Sequence, residues 1–385
     1  MPSISYVAYG DLGSQTGQAI DALATGFHEY SYLTQIYCRG VEESVLPSEL
    51  VRTPIPFERL VPKLLTGVNR FVAPKFHHRY YSELIFDYYT AKQIGKSDVH
   101  YHHSPGKVWT LDRGLSYGSK VIVKAVSEHR QPFNTRLEKE YRRLGIDSGI
   151  SKRMNARASR REYTLQNCDE IHALSGFVKQ SLVNNGIPND KITVTHLGVN
   201  ADDYPTSPWN PSNLFTVLYV GSITVSKGIP YLLDAWERNG WGGDSDARLI
   251  LCGRPSPQMK TVLQKYDFEN LELPGYVDPR DYHQRASVFA FPSLSEGFAK
   301  APMEAMAAGL PTIVSDHTGV NEIMSDGEDG YVIPAGDSDV LAKRLRDLRN
   351  NVEEQKRMGE SGLKTAESQT WDNHVDQVCG RITDN

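Results

Sequence analysis

Residues Phe289–Gly309 read FAFPSLSEGFAKAPMEAMAAG. An apolar run ends at Pro292, a short polar loop follows, and after Gly297 the composition becomes the Ala- and Met-rich one of a helix. Glu296 lies in the loop and Glu304 eight residues further on. With most of that interval helical, the two carboxylates stand roughly 12 Å apart along the axis, at about 1.5 Å per residue. Carboxylates accept charge-assisted hydrogen bonds from sugar hydroxyls. Between them, free N–H groups of Gly297, Phe298 and Ala299 and the helix dipole make a seat for a diphosphate. Gly297, without a Cβ, lets backbone come close. An extended ligand with a sugar on either side of a diphosphate fits this spacing. Taken alone, the same glutamates are equally well a loop acid and a helix-surface acid.

Outward from this segment, short apolar runs alternate with helical patterns. Strands are expected at Ser3–Ala8, Tyr32–Tyr37, Val121–Val126, Glu170–Leu174, Ile192–His196, Leu214–Val220, Arg248–Cys252, Ser287–Phe291 and Thr312–Val314. Gly17–His28, Ile229–Trp236 and Ala301–Ala308 read as helices between them. Such alternation predicts an α/β chain of two doubly wound, Rossmann-like parallel sheets. Thr206–Asn213, TSPWNPSN, reads as a linker, since a new strand starts directly after it. The domains expected are 1–205 and 206–365, with 366–385 as a terminal helix. Two such domains enclose a cleft at the carboxyl ends of their strands. A dehydrogenase, an epimerase, a binding protein and a glycosyltransferase all fit that architecture. In Leu218–Trp236, LYVGSITVSKGIPYLLDAW, a strand ends at Val220, Gly221 and Ser222 turn, and Lys227 precedes a helix. A lysine placed there neutralises a phosphate. The glycines of Gly10–Gln18, GDLGSQTGQ, fall at 10, 13 and 17, so the dinucleotide fingerprint is missing.

Glu296, Gly297, Phe298, Glu304, Ala305, Met306, Gly309, Leu310 and Pro311 carry a resemblance to the E-x7-E motif of family 4 retaining glycosyltransferases of the GT-B fold. The likeness runs upstream through Leu273–Ser293 and downstream through Pro311–Asp337, so it covers the second domain, with weaker landmarks in the first. The resemblance implies a nucleotide diphosphate sugar as donor, transfer to an acceptor hydroxyl with retention, and no metal or other cofactor. It implies donor contacts from Gly13, Gly221, Ser222, Lys227, Glu296, Gly297, Phe298, Ala299, Lys300 and Glu304. Catalytic roles fall to Lys227, Glu296 and His129, the last expected to face the sugar near its anomeric carbon. The family's R-x4-K pattern is incomplete: Ser222 stands at the arginine position, and Lys300 is the candidate to replace that cation. The strand–Ser–helix–strand passage Glu170–Tyr204 ends in Leu197-Gly198-Val199-Asn200, where the family has N-G-V-D. The terminal helix, SQTWDNHVDQVCGRI, is expected to cross back onto the first domain. A nucleotide-sugar epimerase of the same fold and a non-catalytic nucleotide-sugar binder are the rivals.

Bulk properties narrow the setting. The chain of 385 residues is 39% hydrophobic and 23% charged, values of a folded water-soluble protein. Cys38, Cys168, Cys252 and Cys379 are scattered without CxxC spacing, which fits a reducing compartment and no structural metal. The N-terminus lacks a signal-peptide pattern and no apolar run is long enough to span a bilayer, so the cytoplasm is expected. Two DSD triplets, 244–246 and 337–339, lie in polar loops and receive no metal role. Histidines in DVHYHHSP, from Asp98, are read as structural. Residues 1–205 carry 25 Lys and Arg against 21 Asp and Glu, a net +4, which leaves −9 for the remainder. Val51–Tyr81 mixes cations with apolar and aromatic residues, and Arg130–Arg161 holds ten Lys and Arg. These stretches point to a lipid or lipid-linked acceptor and peripheral docking on the inner membrane face. Solvated cations over a buried apolar face explain them as well. No nucleic-acid partner is expected.

Overall fold

The computed structural model describes residues 1–14, 17–55, 78–147, 152–204 and 214–383. The expected linker and most of Val51–Tyr81 lie outside the described residues. The first sheet is built from β1 (Ile4–Leu12), β2 (Leu33–Val41), β3 (Val51–Arg52), β4 (Val99–His102), β5 (Lys120–Ala125), β6 (Glu170–Ala173) and β7 (Ile192–Val194). Its helices are α1 (Gln18–Glu29), α2 (His78–Gln93), α3 (Val108–Ser116), α4 (Arg130–Leu144), α5 (Lys152–Asn167) and α6 (Gly176–Val183). The second sheet holds β8 (Phe215–Val220), β9 (Ala247–Cys252), β10 (Leu271–Gly275), β11 (Val288–Phe291), β12 (Thr312–Ser315) and β13 (Gly330–Ile333). With it run α7 (Ile229–Arg238), α8 (Pro257–Leu263), α9 (Arg280–His283), α10 (Lys300–Ala307), α11 (Ser338–Arg349), α12 (Val352–Ser368) and α13 (Trp371–Thr383).

Strand order is β3-β2-β1-β4-β5-β6-β7 in one sheet and β10-β9-β8-β11-β12-β13 in the other, with every pairing parallel. Parallel strands are covered on both faces, so their sequences are continuous apolar runs: in β8, FTVLYV, five of six residues are buried. Order reverses between β1 and β4 and between β8 and β11, and ligand crevices open at such switch points. Helix α7 shows how the second core is made. Ile229, Leu232, Leu233 and Trp236 recur at helical spacing and are fully buried, and Pro230 occupies the first turn, where no N–H is required. Truncating Trp236 to Ala would cost about 3–5 kcal/mol.

The sheets meet through loops at their carboxyl ends. Ser175 Oγ donates to Gly297 O at 2.6 Å, and Arg136 Nη1 donates to Leu294 O at 3.2 Å. Glu322 accepts the N–H groups of Gly176 and Phe177 at 2.8 and 2.9 Å, satisfying the first turn of α6 from the opposite domain. Helix α13 then leaves the second domain and lies on α1. Its Val375, Val378, Cys379 and Ile382 join Ile20, Leu23, Ala24 and Phe27 in one cluster. Beneath it, the fully buried Lys124 sits 3.2 Å from His374 Nε2, and burial pushes the lysine's pKa down to about 7. The histidines of β4 are also interior groups: His100 bonds Gly95 O at 3.1 Å, and burial pushes His102 down to about 3.

Candidate active site

Three loops of the second domain, after β8, β11 and β12, are sewn to one another. Leu294 N–H and Ser293 Oγ both donate to Ser226 O, at 2.9 and 3.1 Å. Glu296 N–H donates to His317 O at 2.8 Å, and Ala299 N–H to Thr318 O at 3.0 Å. This stitching brings Lys227, at the end of a short turn before α7, into an ion pair with Glu296. The ammonium also lies 5.7 Å from the Phe291 ring centroid. Burial disfavours its charge and lowers the Lys227 pKa to about 8. Lysine and glutamate therefore balance one another while no ligand offers a better partner.

Two cavities open beside these loops. The larger, about 750 Å³, lies at the carboxyl ends of β8 and β9 and is lined by Gly221, Ser222, Arg254, Tyr276, Arg280 and Glu304. That volume accommodates a nucleotide-sized ligand. Gly253 can exist here only as glycine: its φ is +155°, and a Cβ would press on the Gly221 carbonyl. Gln18, from α1 of the first domain, closes one side. Lys300 spans the opening, bonded to Gln18 Oε1 and 3.8 Å from Glu304. The Tyr204 hydroxyl bonds Glu304, and burial together with that carboxylate pushes the phenol above its ordinary range. The smaller cavity, about 200 Å³, lies between the domains. Its walls are Ser127, Arg130, Arg157 and Arg161 on one side and Ser295, Glu296 and Gly297 on the other.

Several expectations are thus placed together and others are not. Gly221, Ser222 and Glu304 line the large cavity; Glu296 and Gly297 line the small one; Lys227 joins Glu296. Phe298 is buried, stacked on His196 with centroids 5.4 Å apart, so its side chain serves the domain contact. The helix after Glu296 starts only at Lys300, so about half of the interval to Glu304 is helical, less than expected, and Glu304 stands about one turn into α10. Ala299 N–H is not free, because Thr318 O takes it. His129 does not face either cavity. It caps α4, accepting from Gln131 N–H at 3.3 Å, while its Nε2 lies 2.6 Å from Glu162. The chain has already turned into the helix by that position, so Val126 to Glu128 occupy the cleft wall. Gly13 likewise turns away, and a Cβ there would meet the Glu43 backbone. Sequence reasoning missed Arg254, Arg280, Tyr276, Gln18 and Tyr204. A basic residue directly after the Gly253 turn at a strand end was the one local sign of any of them.

Residues 203–365 match the family model described as glycosyl transferases group 1. The second domain belongs to this family. Among curated proteins, this chain is similar to the putative glycosyltransferase EpsD of Bacillus subtilis, 38% identical over 186 residues, or 44% of this chain and 48% of that one. It is 27% identical over 217 residues to the uncharacterized glycosyltransferase MJ1178 of Methanocaldococcus jannaschii, 56% of this chain and 59% of that one. The matched region therefore spans about half the length of these curated relatives. Over its whole length the chain superimposes on WaaG, a glycosyltransferase involved in lipopolysaccharide biosynthesis, with a TM-score of 0.69 at 14% identity, covering 99% of this chain and 100% of that one. HepE of Anabaena, in complex with UDP and glucose, gives 0.68 at 14% identity, with 100% of each chain covered. The fold is GT-B, and every named wall residue of the large cavity except Gln18 belongs to the matched region.

Proposed function

We propose that the chain is a glycosyltransferase that moves a sugar from a nucleotide diphosphate donor to an acceptor hydroxyl, with retention and without a metal ion. The observation that carries this reading is the Lys227–Glu296 ion pair, whose glutamate lines the small cavity, together with Glu304 on the wall of the larger one. A donor lying in the large cavity has its ribose at Glu304 and its base near the exposed Tyr276. Its diphosphate reaches Lys227 and the start of α10. Arg254 then supplies the cation that Ser222 does not, since Ile223 N–H bonds Arg254 O at 3.1 Å and the side chain lines the same cavity. As the diphosphate takes Lys227, Glu296 is released to accept from sugar hydroxyls.

Transfer follows as a front-side displacement. The bond from the anomeric carbon to the leaving phosphate oxygen breaks as the acceptor oxygen attacks from the same face. The departing phosphate takes the acceptor's proton, so no carboxylate nucleophile is needed. Lys227 and the helix start stabilise the negative charge that accumulates on the diphosphate. His129, bound to Glu162, can act only by leaving that pair.

The experiment is donor turnover with a pooled set of acceptors, followed by chromatography for released nucleotide and by NMR for the new anomeric proton. The product should keep the donor's configuration, and EDTA should leave the rate unchanged. Loss of activity on chelation, restored by Mg2+ or Mn2+, would remove the metal-free reading. Recovery of the sugar as its epimer with no glycoside formed would favour the epimerase.

A further inference from the structure

The small interdomain cavity carries a charge pattern that donor chemistry leaves unused. Arg130 stands in the first turn of α4, and Arg157 and Arg161, four residues apart, share one face of α5. All three border the cavity opposite Glu296 and Gly297. The acids within reach are committed elsewhere. Glu128 is held by Arg136 at 2.6 Å, and Glu296 by Lys227 until a bound donor draws the lysine away, when the sugar's hydroxyls take the carboxylate. Glu83 takes Arg157 through two bonds, at 2.8 and 2.6 Å, and Arg79 at 3.2 Å. Arg161 donates to the Ser127 hydroxyl at 2.8 Å, and Arg130 lies 4.9 Å from the Phe133 centroid. Among the described residues neither of these two guanidinium groups has a carboxylate partner. Burial and the positive charge of Arg157 and Arg130 lower the Arg161 pKa to about 10, which shows how poorly the cluster is compensated.

Clustered cations at the wall of a cleft are stabilised by an anion, and guanidinium groups bind phosphate or carboxylate through paired hydrogen bonds. On the reading that the donor occupies the large cavity, we propose that the small cavity is a subsite for an anionic group of the acceptor, a phosphate or carboxylate close to the hydroxyl that receives the sugar. Glu296 belongs to this wall and to the ion pair beside the donor. An acceptor anchored by Arg130 and Arg161 therefore presents its neighbouring hydroxyl toward the transferred sugar. The first domain then selects acceptors by charge, and the second selects donors by shape.

The test titrates the full chain with inorganic phosphate and, separately, acetate, at constant ionic strength, with and without a saturating nucleoside diphosphate. The readout is the melting temperature, checked by calorimetric titration. Phosphate or acetate should raise the melting temperature even when the nucleotide site is full, and the stronger of the two names the acceptor's anion. Arg161→Gln and Arg130→Gln should each weaken that anion about tenfold or more, with nucleotide affinity unchanged. The unliganded Arg161→Gln protein should melt no lower than the parent, because it loses a charge that repels its neighbours. Arg161→Lys retains the charge and serves as the folding control. An anion shift that survives both glutamine variants would overturn the subsite. So would abolition of the shift by nucleotide, joined to a loss of nucleotide affinity in Arg161→Gln, which would place the arginines in the donor site. Failure of every nucleotide to bind would sink the donor reading alone, and the phosphate arm would still decide the cluster.

Discussion

Replacing Gly297 by Ala adds one methyl group where the two domains touch. A Cβ at this position would stand 2.6 Å from the carbonyl carbon of Val126 and 3.2 Å from Ser127 N, and closer still to the Val126 oxygen. Ordinary contact begins near 3.4 Å, so backbone must retreat by at least about 0.8 Å. The obstruction is main chain, and no rotamer change relieves it. Nor can the loop slide sideways easily, because Gly297 O is held by Ser175 Oγ and Glu296 N–H by His317 O. The domains should therefore part by roughly 1 Å, and misplacement of that size costs on the order of 100-fold in rate. Nucleotide affinity should change little, since Arg254, Tyr276 and Glu304 all belong to the second domain. The assay pairs calorimetric titration of nucleotide with steady-state turnover. Gly26→Ala is the informative contrast: its new methyl group would meet the side chain of Val375, at 2.8 Å from Cγ2, and Val375→Ala should relieve it. Turnover of Gly297→Ala within threefold of the parent, at unchanged melting temperature, would refute the argument that this contact sets the geometry of transfer.

The lowered pKa of Lys227 gives donor binding a pH dependence. Diphosphate requires the ammonium, and burial makes that ammonium lose its proton near pH 8, whereas a free lysine holds it to about 10.5. Donor affinity should fall about tenfold between about pH 7 and about pH 9, and titration calorimetry of Lys227→Ala should show a weak, flat profile. Glu304→Ala should weaken nucleotide about tenfold or more, through lost bonds to a charged acceptor. Because Glu304 faces the large cavity, the unliganded protein should melt within a few degrees of the parent, and a larger fall would make it structural. If the basic first domain docks on membranes, the protein should sediment with anionic vesicles at low salt and be released as salt rises. Equal recovery in the supernatant with neutral and anionic vesicles would leave a soluble acceptor.

Most strands were legible because burial on both faces writes itself as a run of Val, Ile, Leu and Phe, and the edge strand β7 was among them. Central β4, VHYH, was not, because two histidines break its run. Three edges were missed as well. β10 carries Pro274 and is only partly buried, β3 has two residues, and β13 opens on Gly330, so none offers an apolar run. In the candidate site, Glu296, Lys227 and Glu304 could be proposed from sequence because each sits at a fixed offset from a strand end or helix start. Arg254, Tyr276 and Gln18 could not, because strand order and the facing domain bring them to one cavity from distant parts of the chain. His129 shows the opposite failure. Its position after a strand was read correctly, but one residue of helix start turned the ring onto Glu162.

Helix α13 has a consequence for how the protein is made. Its Val375, Val378 and Ile382 cover α1, yet the ribosome synthesises them after every strand of the second sheet. A nascent chain therefore leaves the face of α1 around Gly26, which Val375 covers, open throughout the time in which the group 1 domain is translated. The usual N-to-C order of domain completion is reversed here, with the later domain able to close its core before the earlier one. Chains truncated before Trp371 and released from the ribosome should show a protease-resistant second domain and a first domain still open to cleavage near α1.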